Sequence, residues 1–184
     1  MNLQGVILAG GQGSRMGGAD KGLQSYKKKP LVCYALEALS PLCDSVIISC
    51  NRNHDRYSAL GDNTLVSDQA AGFHGPLSGL VSCFAKVESD WLLVSPCDTP
   101  LVPVDAFNLL LEARKAHVDD KLFALTEPAK DHPLHCLIHR SLFSEISDAF
   151  EQGKRSVYRV FNGLGVCWVV VPEPLWMANI NRID

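Results

Sequence analysis

Long hydrophobic runs are missing from this chain of 184 residues, and nothing in it reaches the ~18 consecutive apolar residues of a membrane-spanning helix. The N-terminus lacks the charged and long apolar segments of a signal peptide. The 17 Lys and Arg residues are outnumbered by 20 Asp and Glu residues, so the basic excess typical of proteins that bind nucleic acid or anionic membranes is absent. We therefore expect a cytoplasmic protein whose partners are neither nucleic acids nor membranes.

Paired cysteines and the common metal-binding and nucleophilic motifs are also missing. The chain has seven cysteines, an odd number, and none of them form a C-x-x-C motif. Most lie in apolar runs such as Val46–Cys50, which favours buried thiols in a reducing compartment. The six histidines include no H-E-x-x-H motif, and no obvious Ser/His/Asp or Cys/His set is present. Neither a zinc site nor a protein nucleophile is therefore expected.

What the chain does contain is a regular alternation of short apolar runs with amphipathic segments. The predicted strands are Leu3–Leu8, Ser45–Cys50, Thr64–Ser67, Trp91–Ser95, Leu122–Thr126, Leu134–His139 and Val166–Val171. The predicted helices are Pro30–Leu39, Gly75–Val87, Val104–His117 and Ser141–Phe150. This alternation favours a single α/β domain over residues 1–184, a three-layer α/β/α sandwich around a mainly parallel, Rossmann-like sheet.

A glycine-rich segment with two cations follows the first predicted strand. Residues 6–22 read VILAGGQGSRMGGADKG, so the chain leaves Leu8 through a turn that glycines make easily. Backbone N–H groups in such a turn can approach a phosphate chain, and Arg15 and Lys21 can neutralise its charge. The segment is therefore predicted to bind phosphate.

Two common phosphate-binding loops do not fit its spacing. The dinucleotide motif G-x-G-x-x-G, started at Gly11, has Met16 in its last glycine position. The P-loop motif fits Gly17 and Gly22 but continues with Leu23 where its Lys should stand. The segment instead resembles the L-A-G-G…R-M-G…D-K signature of nucleotidyltransferases, which join a nucleoside monophosphate to a phosphorylated acceptor and release pyrophosphate.

A carboxylate stands at another strand end, in the sequence Pro96-Cys97-Asp98-Thr99-Pro100. In open α/β sheets, ligands bind beyond the carboxyl ends of the strands, where Gly10, Asn51 and Asp68 also follow predicted strands. Mg²⁺ takes one or two protein carboxylates and completes its shell with phosphate oxygens and water. Beside the glycine-rich segment, a metal ligand is favoured for Asp98 over a turn or helix-cap residue.

Three further polar segments have less specific patterns. Glycines flank a predicted helix start in Phe73–Gly79 and would let a base or ribose approach, whereas His74 within it is equally consistent with a solvent-exposed loop. The run Lys27–Lys29 is more typical of a solvated turn than of a binding site. Gly153–Ser156 presents Lys154 and Arg155, which could hold an anionic acceptor.

A set of motifs in a fixed order makes the resemblance more specific. After the opening segment come Asn51-Arg52, Asp68, Gly75–Gly79, Pro96–Pro100, Asp131–Pro133 and Asn179–Asn181. Over nearly the whole chain these motifs resemble the molybdenum cofactor guanylyltransferases, whereas the glycine motif alone is shared with sugar-phosphate and cytidylyl transferases. After Asn181 the family usually continues with Thr-Pro-Glu and a closing helix, where this sequence has Arg182-Ile183-Asp184.

This resemblance implies Mg²⁺-dependent transfer of GMP from GTP to the phosphate of molybdopterin, with Mn²⁺ as a possible substitute. It implies a nucleotide half over about residues 1–100 and an acceptor half over about 101–184. Other molybdenum cofactor biosynthesis proteins and molybdoenzyme chaperones are further expected partners. The nucleotide-binding residues that it implies are Leu8, Ala9, Gly10, Gly11, Lys21, Asn51, Asp68 and Asp98. The implied catalytic residues are Arg15, Lys21 and Asp98, and Asp98 is also the implied metal ligand. The implied acceptor-binding residues are Arg155, Asn179 and Asn181.

Three alternatives stay open from the sequence. A cytidylyltransferase acting on the same cofactor would share the fold and most motifs, and a sugar-1-phosphate nucleotidyltransferase is the next enzyme. A nucleotide-binding accessory protein without transfer activity is the alternative from another class. The failed dinucleotide spacing and the combination of Arg15, Lys21 and Asp98 argue against the accessory protein.

Overall fold

The computed structural model describes residues 2–10, 20–68 and 75–180. Its main element is a seven-stranded sheet, with a two-stranded hairpin beside it. The strands are β1 (Leu3–Leu8), β2 (Ser25–Tyr26), β3 (Lys29–Pro30), β4 (Ser45–Ser49), β5 (Thr64–Val66), β6 (Trp91–Pro96), β7 (Leu122–Glu127), β8 (Lys130–His139) and β9 (Cys167–Val170). The helices are α1 (Leu31–Leu39), α2 (His54–Ser58), α3 (Pro76–Phe84), α4 (Val104–Ala116), α5 (Phe143–Glu151) and α6 (Val157–Gly163).

The strand order of the main sheet is β5-β4-β1-β6-β8-β7-β9. The pairs β4–β5, β1–β4, β1–β6 and β7–β9 are parallel, and only β8 runs against its neighbours β6 and β7. The mainly parallel α/β sheet is thus confirmed. Strands β4 and β6 lie on opposite sides of β1, so the strand order reverses there, and the space beyond the carboxyl ends of β1 and β6 is the usual ligand position of such sheets.

Helices cover both faces of the sheet and give the three layers. Along β1, Leu3 and Ile7 pack into one apolar cluster with α1 and α4, whereas Val6 and Leu8 pack into a second cluster with α3, α5 and α6. This division follows from the alternation of side chains along a strand, since every second residue points to the same face. Both faces are apolar because both are covered.

Three short elements of the structure were not among the predicted ones. The hairpin β2–β3 turns through Lys27 and Lys28, both at positive φ, so this lysine run is a turn as expected. Helices α2 and α6 are only five and seven residues long. Segments of this length offer at most two helical turns, too few to show a periodic pattern.

Strand β8 also begins earlier than the predicted Leu134, because the sheet accommodates Pro133 in a bulge. The pairing of β7 with β8 jumps from Ala124–Cys136 to Leu125–His132, so residues 133–135 have no partner on β7. Proline, which has no N–H to donate, is tolerated at such an irregularity. The bulge opens the sheet beside the end of β6.

The cysteines behave as the sequence predicted for buried thiols. All seven are free, and Cys50, Cys83, Cys97 and Cys136 are buried. Burial raises the pKa of the Cys83 and Cys97 thiols to about 12, so both stay protonated and unreactive near neutral pH. Within the described ranges, no helix has the length and apolar character needed to cross a membrane.

Candidate active site

A cavity of about 390 Å³ lies at the crevice between the ends of β1 and β6. Its lining includes six residues predicted to bind or act on the nucleotide: Leu8, Ala9, Gly10, Lys21, Asp68 and Asp98. We call it the first cavity. Their common position is consistent with the prediction that these residues form one site. It also agrees with the rule that ligands of parallel sheets bind beyond the carboxyl ends of the strands.

The start of helix α3 forms the opposite wall of the first cavity. Gly75, Pro76 and Gly79 line it, and Gly75 has a φ of +79°, which glycine adopts without strain. A Cβ at Gly79 would lie 2.8 Å from Oγ of Ser49, so only glycine lets the helix approach β4 this closely. The start of α3 is thereby brought close to the cavity, and the Ser78 N–H in its first turn donates to the carbonyl oxygen of Gly75 at 3.1 Å.

The side chains of Lys21 and Asn179 meet at Asp98, and of these three residues Lys21 and Asp98 line the first cavity. The Lys21 Nζ lies 2.6 Å from Oδ2 of Asp98, and the Asn179 Nδ2 donates to the same oxygen at 2.7 Å. The backbone N–H of Ile180 donates to the carbonyl oxygen of Asp98 at 2.8 Å. The C-terminal segment is therefore tied to the loop after β6, which brings Asn179 to Asp98 across 81 residues of sequence.

Asn51, which the sequence predicted to bind the nucleotide, contacts two residues that line the first cavity. Its Nδ2 donates to the carbonyl oxygen of Gly10 at 3.2 Å, and its Oδ1 accepts from the backbone N–H of Asp68 at 2.8 Å. Asn51 is not among the residues that line the first cavity. Its amide instead joins two loops that do line it, so Asn51 supports the walls of the site.

A second cavity, of about 210 Å³, adjoins the first. Pro96, Asp98 and Leu134 line both cavities, so the Asp98 carboxylate stands at their junction. The β8 bulge supplies the rest of one wall, together with Lys130 and, from the C-terminal segment, Asn179. Among the described residues these bring polar groups to the second cavity, with an exposed lysine at its edge.

Two buried histidines stiffen the second cavity. His135 Nε2 lies 2.8 Å from Oγ1 of Thr99, the residue after Asp98, and His132 Nε2 lies 2.8 Å from Oε1 of Glu127. Burial, together with the nearby His132, lowers the pKa of His135 to about 3, so its ring is neutral at physiological pH. Thr99 lies within the Pro96–Pro100 motif and His132 within the Asp131–Pro133 motif, whereas His135 was not singled out by sequence.

The structure does not bring Arg155 to either cavity. Its Nη1 donates to the carbonyl oxygens of Phe150 at 2.6 Å and of Lys154 at 3.0 Å, and its guanidinium stacks 4.2 Å from the Phe150 ring centroid. The expectation that Arg155 faces the cleft is therefore not supported, because the side chain instead caps the end of α5. The predicted residues Gly11, Arg15 and Asn181, and also His74, lie outside the described residues.

The donor set suits Mg²⁺ better than a metal held by protein ligands alone. No group of three or more His, Cys, Asp or Glu side chains able to hold a metal occurs among the described residues. Mg²⁺ needs only one or two carboxylates when substrate phosphates complete its shell, and Asp98 offers one. Among the described residues, the hydrogen bonds that Asp98 accepts from Lys21 and Asn179 both use Oδ2, so a cation would approach Oδ1.

Comparison with known proteins identifies the family. The model of the MobA-like NTP transferase domain matches residues 5–166. A molybdenum cofactor guanylyltransferase of Ectopseudomonas mendocina is 38% identical over 96% of this chain and 86% of its own length. One from Pseudomonas paraeruginosa is 41% identical over 96% of this chain and 88% of its own.

A solved structure agrees in fold. The molybdopterin-guanine dinucleotide biosynthesis protein A of Archaeoglobus fulgidus superposes with a TM-score of 0.78 at 21% identity, covering 97% of this chain and 92% of that one. The chain belongs to the molybdenum cofactor guanylyltransferases of the MobA-like NTP transferase family.

Proposed function

We propose that this protein transfers GMP from GTP to the terminal phosphate of molybdopterin, which forms molybdopterin guanine dinucleotide and releases pyrophosphate. The names of its relatives support the reaction, and one observation carries it: two cavities meet at Asp98. A transferase that joins two phosphorylated molecules needs adjacent sites with shared charge at their junction. The junction holds a carboxylate and, 2.6 Å away, the ammonium of Lys21.

The first cavity is the nucleotide site of this proposal. The backbone after β1 and the start of α3 approach the phosphates, while the carboxylate of Asp68 reads the base. A carboxylate suits guanine because it accepts hydrogen bonds from the N1–H and N2–H₂ groups on one edge of that base. Cytosine presents only its N4 amino group as a donor on the pairing edge, so a carboxylate discriminates between the two.

The reaction itself needs no protein nucleophile. An oxygen of the molybdopterin phosphate attacks the α-phosphorus of GTP, and the bond from that phosphorus to the bridging oxygen breaks as pyrophosphate leaves. Lys21 stabilises the negative charge that grows on the α-phosphate and on the leaving pyrophosphate. When bound at Asp98, Mg²⁺ would supply Lewis-acid stabilisation of the same charge.

The second cavity is the acceptor site. Asn179 lines it with an amide that offers both donors and acceptors, as a pterin does, and Asn181 follows two residues later in the chain. The cation at its edge is Lys130 rather than the predicted Arg155, whose guanidinium is engaged at α5. The acceptor phosphate can thus reach Asp98 and Lys21 from the side opposite the nucleotide.

Nucleotide preference tests the base-reading part of the proposal. With Mg²⁺ present, GTP at 100 times its Kd is expected to stabilise the fold by about 2.7 kcal/mol and to raise Tm by about 5–10 °C. ATP, CTP and UTP at the same concentration should raise it less, and chelation of Mg²⁺ should reduce the GTP effect. Equal shifts with all four triphosphates would contradict guanine recognition, and a larger shift with CTP would favour a cytidylyltransferase.

Lys130 tests the acceptor site. Its replacement by alanine is expected to raise the KM for molybdopterin about 10-fold, because one charge-assisted hydrogen bond is lost, while the KM for GTP stays unchanged. Lys121→Ala is the matched control, since it removes another exposed lysine from the base of the same hairpin. A rise in the GTP KM instead would show that the two cavities have been assigned the wrong way round.

A further inference from the structure

A buried carboxylate directly precedes the catalytic lysine and takes no part in lining either cavity. Asp20 Oδ1 accepts a hydrogen bond from the Tyr57 hydroxyl at 2.7 Å, and Oδ2 accepts one from Asn53 Nδ2 at 2.9 Å. The Nε of Arg52 lies 3.8 Å from Oδ2. We call these four residues the Asp20 clasp. With a side chain only 6% exposed, Asp20 is fixed between groups from the loop after β4 and from helix α2.

The clasp is built from rigid parts. Tyr57 is fully buried in the apolar cluster beneath α1, so its ring cannot move without disturbing the core. Asn53 has a φ of +56°, a left-handed conformation that asparagine tolerates and that starts α2. Burial and the hydrogen bond to Asp20 raise the pKa of Tyr57 above its ordinary value, so its hydroxyl remains a donor near neutral pH.

The clasp holds the backbone on both sides of Lys21. Before the lysine it fixes Asp20, and after it Gly22 lies so close to Tyr57 that a Cβ there would overlap with the phenolic oxygen. Residues 21–23 form one short turn, with the backbone N–H of Leu23 donating to the carbonyl oxygen of Asp20 at 3.2 Å. Tyr57 therefore contacts the chain immediately before and immediately after the lysine.

We propose that Tyr57 is a positioning residue for nucleotidyl transfer: through Asp20 and the close contact at Gly22, it fixes the backbone from which Lys21 reaches the junction of the two cavities. This role depends on the proposed function in one respect, because nucleotidyl transfer is the reaction whose rate is measured. A lysine side chain is long and flexible, and a preorganised charge acts on the transition state only where its origin is fixed. Tyr57 supplies that fixed origin without touching substrate.

The test removes one oxygen atom. Tyr57→Phe keeps the buried ring and is expected to lower kcat about 10-fold, with the KM for GTP changed less than twofold. Tyr34→Phe is the matched control, because the Tyr34 hydroxyl also makes a hydrogen bond, donating to the carbonyl oxygen of Tyr26 at 2.8 Å. That variant should keep the wild-type kcat. Asn53→Gly, which retains the positive φ but loses the amide donor, should lower kcat in the same sense.

A double mutant separates positioning from a general loss of structure. If Tyr57 acts through Lys21, Tyr57→Phe should cost no further activity in a Lys21→Ala background. An additional 10-fold loss there, or wild-type kcat in both folded Tyr57→Phe and Asn53→Gly, would overturn the proposal. All values are ratios to the wild type with whichever triphosphate it uses. A preference for CTP would therefore contradict the proposed function while this test still decides the role of Tyr57.

Discussion

Replacement of Asp98 by asparagine is expected to lower kcat for nucleotidyl transfer by about 10³-fold, while the fold remains intact. Loss of a metal that binds the reacting phosphates removes several kcal/mol of transition-state stabilisation, and each 1.36 kcal/mol is a factor of ten in rate. The side chain lies at a loop, outside both apolar clusters, so its replacement leaves the packing of the core unchanged. Steady-state pyrophosphate release with saturating substrates measures the effect.

Two measurements accompany this prediction. Asp119→Asn is the control, because it makes the same chemical change at an exposed turn remote in sequence from the site and should leave kcat unchanged. Titration of the Asp98→Asn protein with Mn²⁺ in the presence of GTP should show weakened metal binding. A correctly folded Asp98→Asn protein that retained substantial activity would show that this carboxylate does not hold the catalytic metal.

Lys21→Ala should lower kcat on the order of 10²-fold, because the ammonium stabilises charge that develops during transfer. Its Nζ lies 2.6 Å from Asp98 at the junction of the cavities, where the proposed reaction would bring the α-phosphate and the acceptor together. The KM for GTP should change far less than kcat. Initial-rate kinetics over a range of GTP concentrations separates the two parameters.

Lys115→Ala serves as the comparison for this variant, since Lys115 is an exposed helical lysine whose ion pair with Glu112 contributes little. It should behave as the wild type. If Lys21→Ala raised only the KM and left kcat intact, Lys21 would be a ground-state binding residue, and the Tyr57 proposal would lose its basis in catalysis.

The local sequence pattern was sufficient to predict those strands and helices whose apolar residues recur regularly. Strand β1 and the strand before Asp98 are mostly apolar, with a glycine two residues after β1 and a proline at the end of β6, and both ends of β1 coincide with the prediction. Since ligands lie beyond the carboxyl ends of parallel strands, the joint placement of Gly10, Lys21, Asp68 and Asp98 could also be anticipated.

The parts that sequence could not supply depend on contacts between distant segments. From sequence, Arg155 is a cation before a helix that could bind an anion. In the structure its guanidinium donates to the carbonyl oxygen of Phe150 and contacts the ring of that residue. The wall of the second cavity depends on a shift in strand register at Pro133, which no local pattern encodes. Asn51 was correctly placed near the site, but only the fold shows that its amide joins two loops.

The nucleotide whose α-phosphate is transferred to molybdopterin distinguishes a guanylyltransferase from a cytidylyltransferase. Wild-type protein is incubated with Mg²⁺, molybdopterin and equal concentrations of GTP and CTP, each labelled at the α-phosphate in a separate reaction, and the labelled product is separated and quantified. We expect label from GTP to appear in a molybdopterin dinucleotide, with one pyrophosphate released per molecule of product. We expect no label from CTP in that product. Transfer from CTP in preference to GTP, or GTP binding without any transfer to molybdopterin, would contradict it.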